Sequence, residues 1–399
     1  MEKLISILGL FTMLALAWML SENRRRMDWR LIGSGLALQM GLGLLLLHTR
    51  PGQAFFSFAR AAVDRVIGFS NEGARFIFGD LVQTAPIGFS VLPMVVFVSS
   101  ITGVLFYLGI LPWIVRQMAR AMILLMRTSG SESLAASANV YLGISTAPLV
   151  VVPYLKTMTR SEIMALMTTG MATVAGSVLA AYVTLGADAG HLMAASLMSA
   201  PAALVISKIM TPETEISPTL GVVTVEVPRQ DVNLLDAACR GASDGLKLAL
   251  NIAAMLIVAI AFVGLLNWGL SFLPHIGGAP LTLERSLGWL CAPLAWLMGV
   301  AWEDAQLVGM LLGKKTILNE FLAYQDLGAL KTQLSPRSFT IATYALCSFA
   351  NFGSIAVMIG GIGSLVPERR KDIARYGIRS LIGGALAANM TATIAGMLI

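Results

Sequence analysis

Arg337-Ser-Phe-Thr-Ile-Ala-Thr-Tyr-Ala-Leu-Cys-Ser-Phe-Ala-Asn-Phe-Gly-Ser354 opens on an Arg-Ser pair, runs through an uncharged, mostly apolar stretch and closes on Gly-Ser. The same frame occurs earlier: Arg160-Ser161 is followed sixteen residues later by Gly176-Ser177, as Arg337-Ser338 is by Gly353-Ser354. Each copy is preceded by a polar interruption in another apolar segment, Gly143-Ile-Ser-Thr-Ala-Pro148 in the first and Asn319-Glu320 in the second. Paired, interrupted hydrophobic segments are what transporters use to build a site near the bilayer midplane, so this spacing predicts a carrier.

The composition puts that pair in a membrane. With 56% hydrophobic and 13% charged residues over 399 positions, there are too few charges to solvate a globular surface. Leu4 to Ser21, Ile32 to Leu47, Leu81 to Trp113, Ile163 to Ala187, Leu248 to Leu283, Ser338 to Pro367 and Ser380 to Ile399 are charge-free windows. Each approaches or exceeds the ~20 residues of a spanning helix. Ser133 to Leu155 and Leu287 to Leu318 are also apolar but carry Gly, Pro or charge near their middles, the signature of re-entrant hairpins. The fold expected is an all-α integral membrane protein of about eight transmembrane helices plus two hairpins, with inverted repeats and broken helices.

The first apolar segment lacks a small-x-small cleavage site, and Arg24, Arg25, Arg26 and Arg30 follow it instead of preceding it, so it is expected to be retained. The positive-inside rule then places that loop inside and the N-terminus outside. Arg116, Arg120 and Arg127, Lys156 and Arg160, Lys208, Arg229 and Arg240, and the cluster from Arg369 to Arg379 also fall inside; Lys331 and Arg337 are exceptions. This asymmetry accounts for the net charge of +6, and no nucleic-acid partner follows from it. Cys239, Cys291 and Cys347 have no metal or redox spacing, and His48, His191 and His275 read as segment-end residues.

Organisation follows. Residues 1–130 read as a scaffold region of three spanning helices and an amphipathic stretch, Phe55 to Phe78, lying in the interface plane. Residues 131–210 form the first repeat: hairpin, broken helix, helix. Residues 211–247, with Pro212, Pro218 and Pro228, read as a cytoplasmic linker, and 248–399 add one helix and the second repeat. An odd number of crossings separates the repeats, so they are inverted.

Glu320 carries the clearest chemistry. An ionised carboxylate in so apolar a setting costs at least ~2.5 kcal/mol unless it meets water or a partner. Either it pairs with Lys314 or Lys315, or it meets substrate hydroxyls. Asn351 and Ser354 are three apart and share one helical face, offering donors and acceptors together. In the first repeat, Asn139 and Thr173 are neutral oxygen ligands suited to Na⁺; H⁺ entering through Glu320 is the alternative coupling ion.

At these residues the chain resembles the concentrative nucleoside transporters. Asn319-Glu-Phe-Leu-Ala-Tyr324 and Phe349-Ala-Asn-Phe-Gly-Ser354 carry the resemblance most specifically. Ala147-Pro-Leu149 with Pro153-Tyr154, Ser177-Val178, and His191 to Pro201 extend it over essentially the whole chain. The resemblance implies cation-driven nucleoside uptake by a homotrimer in the bacterial inner membrane, with a transport region moving against a scaffold. By it, Glu320, Asn351, Ser354 and Phe349 would hold the ribose, Val178 would touch the base, and Asn139, Thr173 and the backbone of Leu142 and Val174 would bind Na⁺.

One departure stands out. After the hairpin glycine the family usually has Gln, then Thr or Ser, then Glu, whereas here stand Ile144, Ser145 and Thr146. A pocket that loses hydrogen-bonding partners changes its discrimination strongly, so base preference is expected to differ while the ribose set stays intact. A carrier for another ribosylated or polyol-like solute is the remaining alternative. An enzymatic reading of Gly143-Ile-Ser-Thr-Ala147 as a nucleophile elbow lacks both a preceding strand and a placed His.

Overall fold

A computed structural model describes residues 2–221, 231–275, 278 and 280–399. Pro228 and Arg229, assigned above to the linker and the inner basic residues, lie outside the described residues. Everything named below is helical.

The chain begins with α1 (Glu2–Met19) and α2 (Trp29–His48), the latter started by the Asp28 carboxylate, which accepts from the amides of Arg30 and Leu31. α3 (Arg50–Phe78) is the amphipathic helix expected from Phe55; it starts five residues earlier because Thr49 caps it and Pro51 suits its first turn. The short α4 (Leu81–Thr84) and a π-turn at Ile87–Val91 lead into α5 (Leu92–Tyr107), and α6 (Ile110–Met126) follows. The first repeat holds α7 (Gly130–Val150), α8 (Val152–Leu155), α9 (Arg160–Ala172), α10 (Gly176–Thr184) and α11 (Ala189–Met210). After α12 (Leu234–Leu270) and α13 (Leu283–Leu297), the second repeat holds α14 (Trp302–Ile317), α15 (Glu320–Ala329), α16 (Pro336–Leu346), α17 (Phe352–Leu365) and α18 (Arg370–Leu398).

Eight helical stretches among the described residues are long and apolar enough to cross a membrane. Gly130–Val150 is among them by length and composition, yet the backbone breaks inside it at Gly143, with φ 72° and ψ 178°. Only glycine adopts that region at little cost. Two helical arms therefore meet at Gly143, giving hairpin 1.

The second hairpin lies later than Leu287–Leu318. Lys314 Nζ reaches Asp326 Oδ2 at 2.6 Å, although twelve residues of straight helix would separate them by ~18 Å. The chain thus reverses at Leu318–Asn319, and α14 and α15 are the two arms. α13 is a separate helix antiparallel to α14, with Gly313 against Leu287 and Gly309 against Ala292. A continuous apolar composition hid this boundary, which a turn at Gly299 (φ 92°) makes.

Two boundaries also differ in packing. α12 begins at Leu234, inside the stretch read as linker, because Asn233 accepts from Asp236 N and starts the helix. Residues 1–130 do not pack as one unit. α5 crosses α12 through small residues: a Cβ at Gly241 would lie 2.6 Å from Ser99 O, and one at Gly245 2.8 Å from Val96 Cα. α1 instead lies on α18, and α2 on α11, where Gly35 meets Val205 and Gly43 meets Met198.

Arg337, the exception to the charge rule, is occupied by helix ends. Its guanidinium donates to Gly396 O at 2.6 Å and Ile399 O at 2.9 Å, and pairs with Glu2 at 3.0 Å. A cation at the C-terminal end of α18 answers both the orphan carbonyls and the dipole there.

Candidate functional site

Both broken helices come apart where the sequence places polar residues. In the first repeat α9 ends at Ala172 and α10 begins at Gly176; in the second α16 ends at Leu346 and α17 begins at Phe352. The two gaps touch, since Phe349 N donates to Thr173 O at 3.2 Å. Asn351 starts α17 by accepting from Ser354 N at 2.9 Å, and its amide is left to turn toward Glu320.

Glu320 stands in the first turn of α15, where the helix dipole favours an anion. It is buried, at 6% exposure, and its two oxygens are each engaged: Tyr182 Oη donates to Oε1 and Asn351 Nδ2 to Oε2, both at 2.9 Å. It forms no ion pair among the described residues. Lys314 takes Asp326, and Lys315 Nζ donates to Ala345 O and Ser348 Oγ, both at 2.9 Å. Glu320 is therefore a carboxylate held by neutral donors, which can exchange for substrate hydroxyls without stranding a cation.

A cavity of about 420 Å³ opens between hairpin 1 and the α5–α12 pair. Ile144, Ser145, Thr146 and Leu142 line it from hairpin 1, Ser177 and Val178 from α10, and Phe349 from the second break. Arg240, Asp244, Lys247 and Asn251 line it from α12. Ser145 and Thr146 are exposed to it, whereas Ile144 and Val178 are 8% and 2% exposed. Glu320, Asn351, Ser354 and Tyr182 are buried outside the lining; Phe349 and Val178 are the lining residues nearest in the chain to Asn351 and Tyr182.

Two of the four residues assigned to Na⁺, Asn139 and Thr173, meet directly. Thr173 Oγ1 lies 3.2 Å from Asn139 O and 2.9 Å from Thr169 O, and Asn139 Nδ2 donates to Ala135 O and Thr169 Oγ1. Asn139 Oδ1 is buried and accepts no hydrogen bond. A buried, unpartnered amide oxygen between helix ends suits a small cation. Leu142 ends hairpin 1's first arm, and Val174 lies in the gap just after α9.

These features agree with known proteins along the whole chain. Profiles of the Na⁺-dependent nucleoside transporter family match at 8–81, its N-terminal part, and at 191–396, its C-terminal part; a nucleoside-recognition profile matches 88–189. A Bacillus subtilis transporter, YutK, is 40% identical over the full length of both chains. The chain belongs to the Na⁺-dependent nucleoside transporter family. Mouse solute carrier family 28 member 3 is 41% identical, and the chain spans about three fifths of it, 59%. Rat sodium/nucleoside cotransporter 1 is 39% identical, with 64% of its length spanned. CNTnw in an inward-facing substrate-bound state superposes at TM-score 0.93 with 38% identity, covering 100% of this chain and 98% of that one. A CNTnw variant in an outward-facing state gives 0.92.

Three participants escaped the sequence reading. Tyr182 is in van der Waals stacking with Tyr324, ring centroids 4.4 Å apart, and holds Glu320; its place one turn after Val178 on α10 was the available signal. Thr169, one turn before Thr173, holds Asn139. Lys315 was weighed only as a partner for Glu320, and caps α16 instead.

Proposed function

We propose that this protein imports nucleosides across the bacterial plasma membrane by cation-coupled symport with alternating access. The observation that carries the reading is Glu320, a buried carboxylate whose two oxygens accept from Tyr182 and Asn351, residues that follow Val178 and Phe349 of the cavity lining by one turn and by two positions. The sugar hydroxyls exchange for those internal donors on Glu320, with Asn351 and Ser354 completing the ribose site. Val178 and Phe349 bound the base, and Ile144, Ser145 and Thr146 set its discrimination. Na⁺ binds at Asn139 and Thr173 with the carbonyls of Leu142 and Val174, and its site shares Thr173 with the contact to the second break, which links ion to substrate.

The cavity reaches the end of α12 that carries Arg240 and Lys247, the inner side by the positive-inside rule. Family structures exist in inward- and outward-facing states, and the α5–α12 pair is the fixed wall against which the hairpins move in elevator fashion. We also propose a homotrimeric state, as the resemblance to the concentrative nucleoside transporters implies; the apolar faces of α3 and α12, with Phe58, Phe69, Phe76 and Phe262 exposed, are open to lipid or to a second copy.

Uptake into proteoliposomes under an imposed Na⁺ gradient at fixed pH, and under a pH gradient without Na⁺, tests the coupling. A competition panel of ribose, free bases and nucleosides tests the cargo. Sodium-driven accumulation blocked by nucleosides but not by ribose is expected; accumulation driven by the pH gradient alone, or blocked equally by ribose, overturns the assignment.

A further inference from the structure

The two hairpins place different side chains at one equivalent position. Asn139 lies four residues before the tip at Gly143, and Lys315 four residues before Asn319, which starts the second arm of hairpin 2. Both reach the C-terminal end of the first half of their own repeat's broken helix. Asn139 meets the last turns of α9 through Thr169 and Thr173; Lys315 meets the last turn of α16 through Ala345 O and goes on to Ser348 in the gap.

A helix C-terminus carries partial negative charge and orphan carbonyls. At α16 that end is answered by an ammonium, 1% exposed and in no ion pair among the described residues. At α9 it is met by neutral groups only, with Asn139 Oδ1 unpartnered. The second repeat holds a cation of its own where the first offers oxygens to one.

We propose that Lys315 is the tethered counterpart of the coupling ion: its ammonium does permanently for the α16–α17 break what Na⁺ does reversibly for the α9–α10 break. The carrier then takes one Na⁺, at the first repeat. This rests on the ion site proposed above. Two consequences follow from charge alone. The second break stays ordered without Na⁺, keeping Asn351 aimed at Glu320. Removing the ammonium opens a second site that free Na⁺ can fill, because Ala345 O and Ser348 Oγ remain.

The test is a Na⁺ titration of the purified full chain in detergent, with choline holding ionic strength constant. Melting temperature and binding of tritiated uridine and adenosine are read in wild type, Lys315→Gln and Lys315→Met. Wild type is expected to titrate with a Hill coefficient of about 1, and both variants to need about tenfold more Na⁺ or more, with a coefficient moving toward 2. Choline should rescue neither. Variants that titrate like wild type, or that lose stability equally in Na⁺ and choline, overturn the proposal. Failure of both variants to fold in either salt also overturns it, since Na⁺ then does not replace the ammonium. A wild type indifferent to Na⁺ overturns the ion site itself, and is seen before any variant is made.

Discussion

The two repeats share a frame and divide its chemistry. Hairpin 1 turns on Gly143, in a conformation reserved for glycine, with Ala175 packed so close that a Cβ would lie 2.6 Å from its own. Hairpin 2 turns at Leu318–Asn319 with ordinary negative φ values and secures its second arm by the Asn319 cap on Leu322 N. The second arm of the broken helix differs in the same sense: α17 is capped by Asn351, whereas α10 has Ala175 at its N-cap and no side-chain cap. Polar side chains that in the second repeat are anchored at both ends, Glu320 and Asn351, have no counterpart in the first, whose tip presents exposed Ser145 and Thr146. In the function proposed above, the second repeat supplies the sugar site and the first the site that a cation completes. The lesson is that symmetric folding leaves each half free to specialise through a few side chains at the breaks.

The sharpest way to break this comparison is Glu320→Gln. Each charge-assisted bond to the sugar is worth ~1.5 to 3 kcal/mol, so nucleoside affinity should fall roughly 10- to 150-fold or more. Ribonucleosides should lose their advantage over 2′,3′-dideoxynucleosides in the same competition assay. Unchanged affinity with unchanged preference would remove Glu320 from the sugar site.

The hairpin tips should respond unequally. Gly143→Ala imposes ~1 to 3 kcal/mol of backbone strain and a clash with Ala175 besides, whereas Asn319→Ala loses one cap, ~1 kcal/mol. Thermal unfolding in detergent should rank them in that order. An Asn319→Ala variant that melts lower than Gly143→Ala would show that the tips are not built as described.

Thr173→Ala separates ion from substrate. It removes one neutral oxygen, so half-maximal Na⁺ for uptake should rise about 5- to 10-fold, a loss of ~1 kcal/mol. Binding of tritiated nucleoside at saturating Na⁺ should hold within about twofold. The assignment fails if the Na⁺ midpoint stays put.

Tyr182→Phe is the smallest and most selective change. It deletes a donor that a sugar hydroxyl must displace from Glu320 while keeping the stack on Tyr324, so affinity should rise about 2- to 10-fold, ~0.5 to 1.5 kcal/mol. The Na⁺ midpoint should not move. A shift in Na⁺ dependence larger than the shift in nucleoside affinity would mean that Tyr182 supports the ion site instead.

Much of this was legible in residues. Long charge-free windows had to be helical at membrane depth, because backbone groups in lipid must be satisfied within the segment. The repeated Arg-Ser and Gly-Ser spacing located both broken helices, and Glu320, Asn351 and Ser354 stood out because polar groups in lipid are costly.

What the sequence could not decide were the relations between segments. A window of hydropathy reads the same whether a chain crosses or doubles back, so hairpin 2 was placed a helix too early, at Leu287–Leu318 instead of across Leu318–Asn319. Residues 1–130 look like one block along the chain, yet α1 and α2 join the repeats while α5 joins α12, because glycines at Gly35, Gly241 and Gly245 admit only particular neighbours. The partners of a buried charge are likewise a tertiary matter. Lys315 lies five residues from Glu320 in the sequence, but helix geometry carries its ammonium to Ala345 and Ser348, while Tyr182, from the other repeat, reaches the carboxylate. Local composition sets what each segment can do, and packing across the two repeats sets which groups meet.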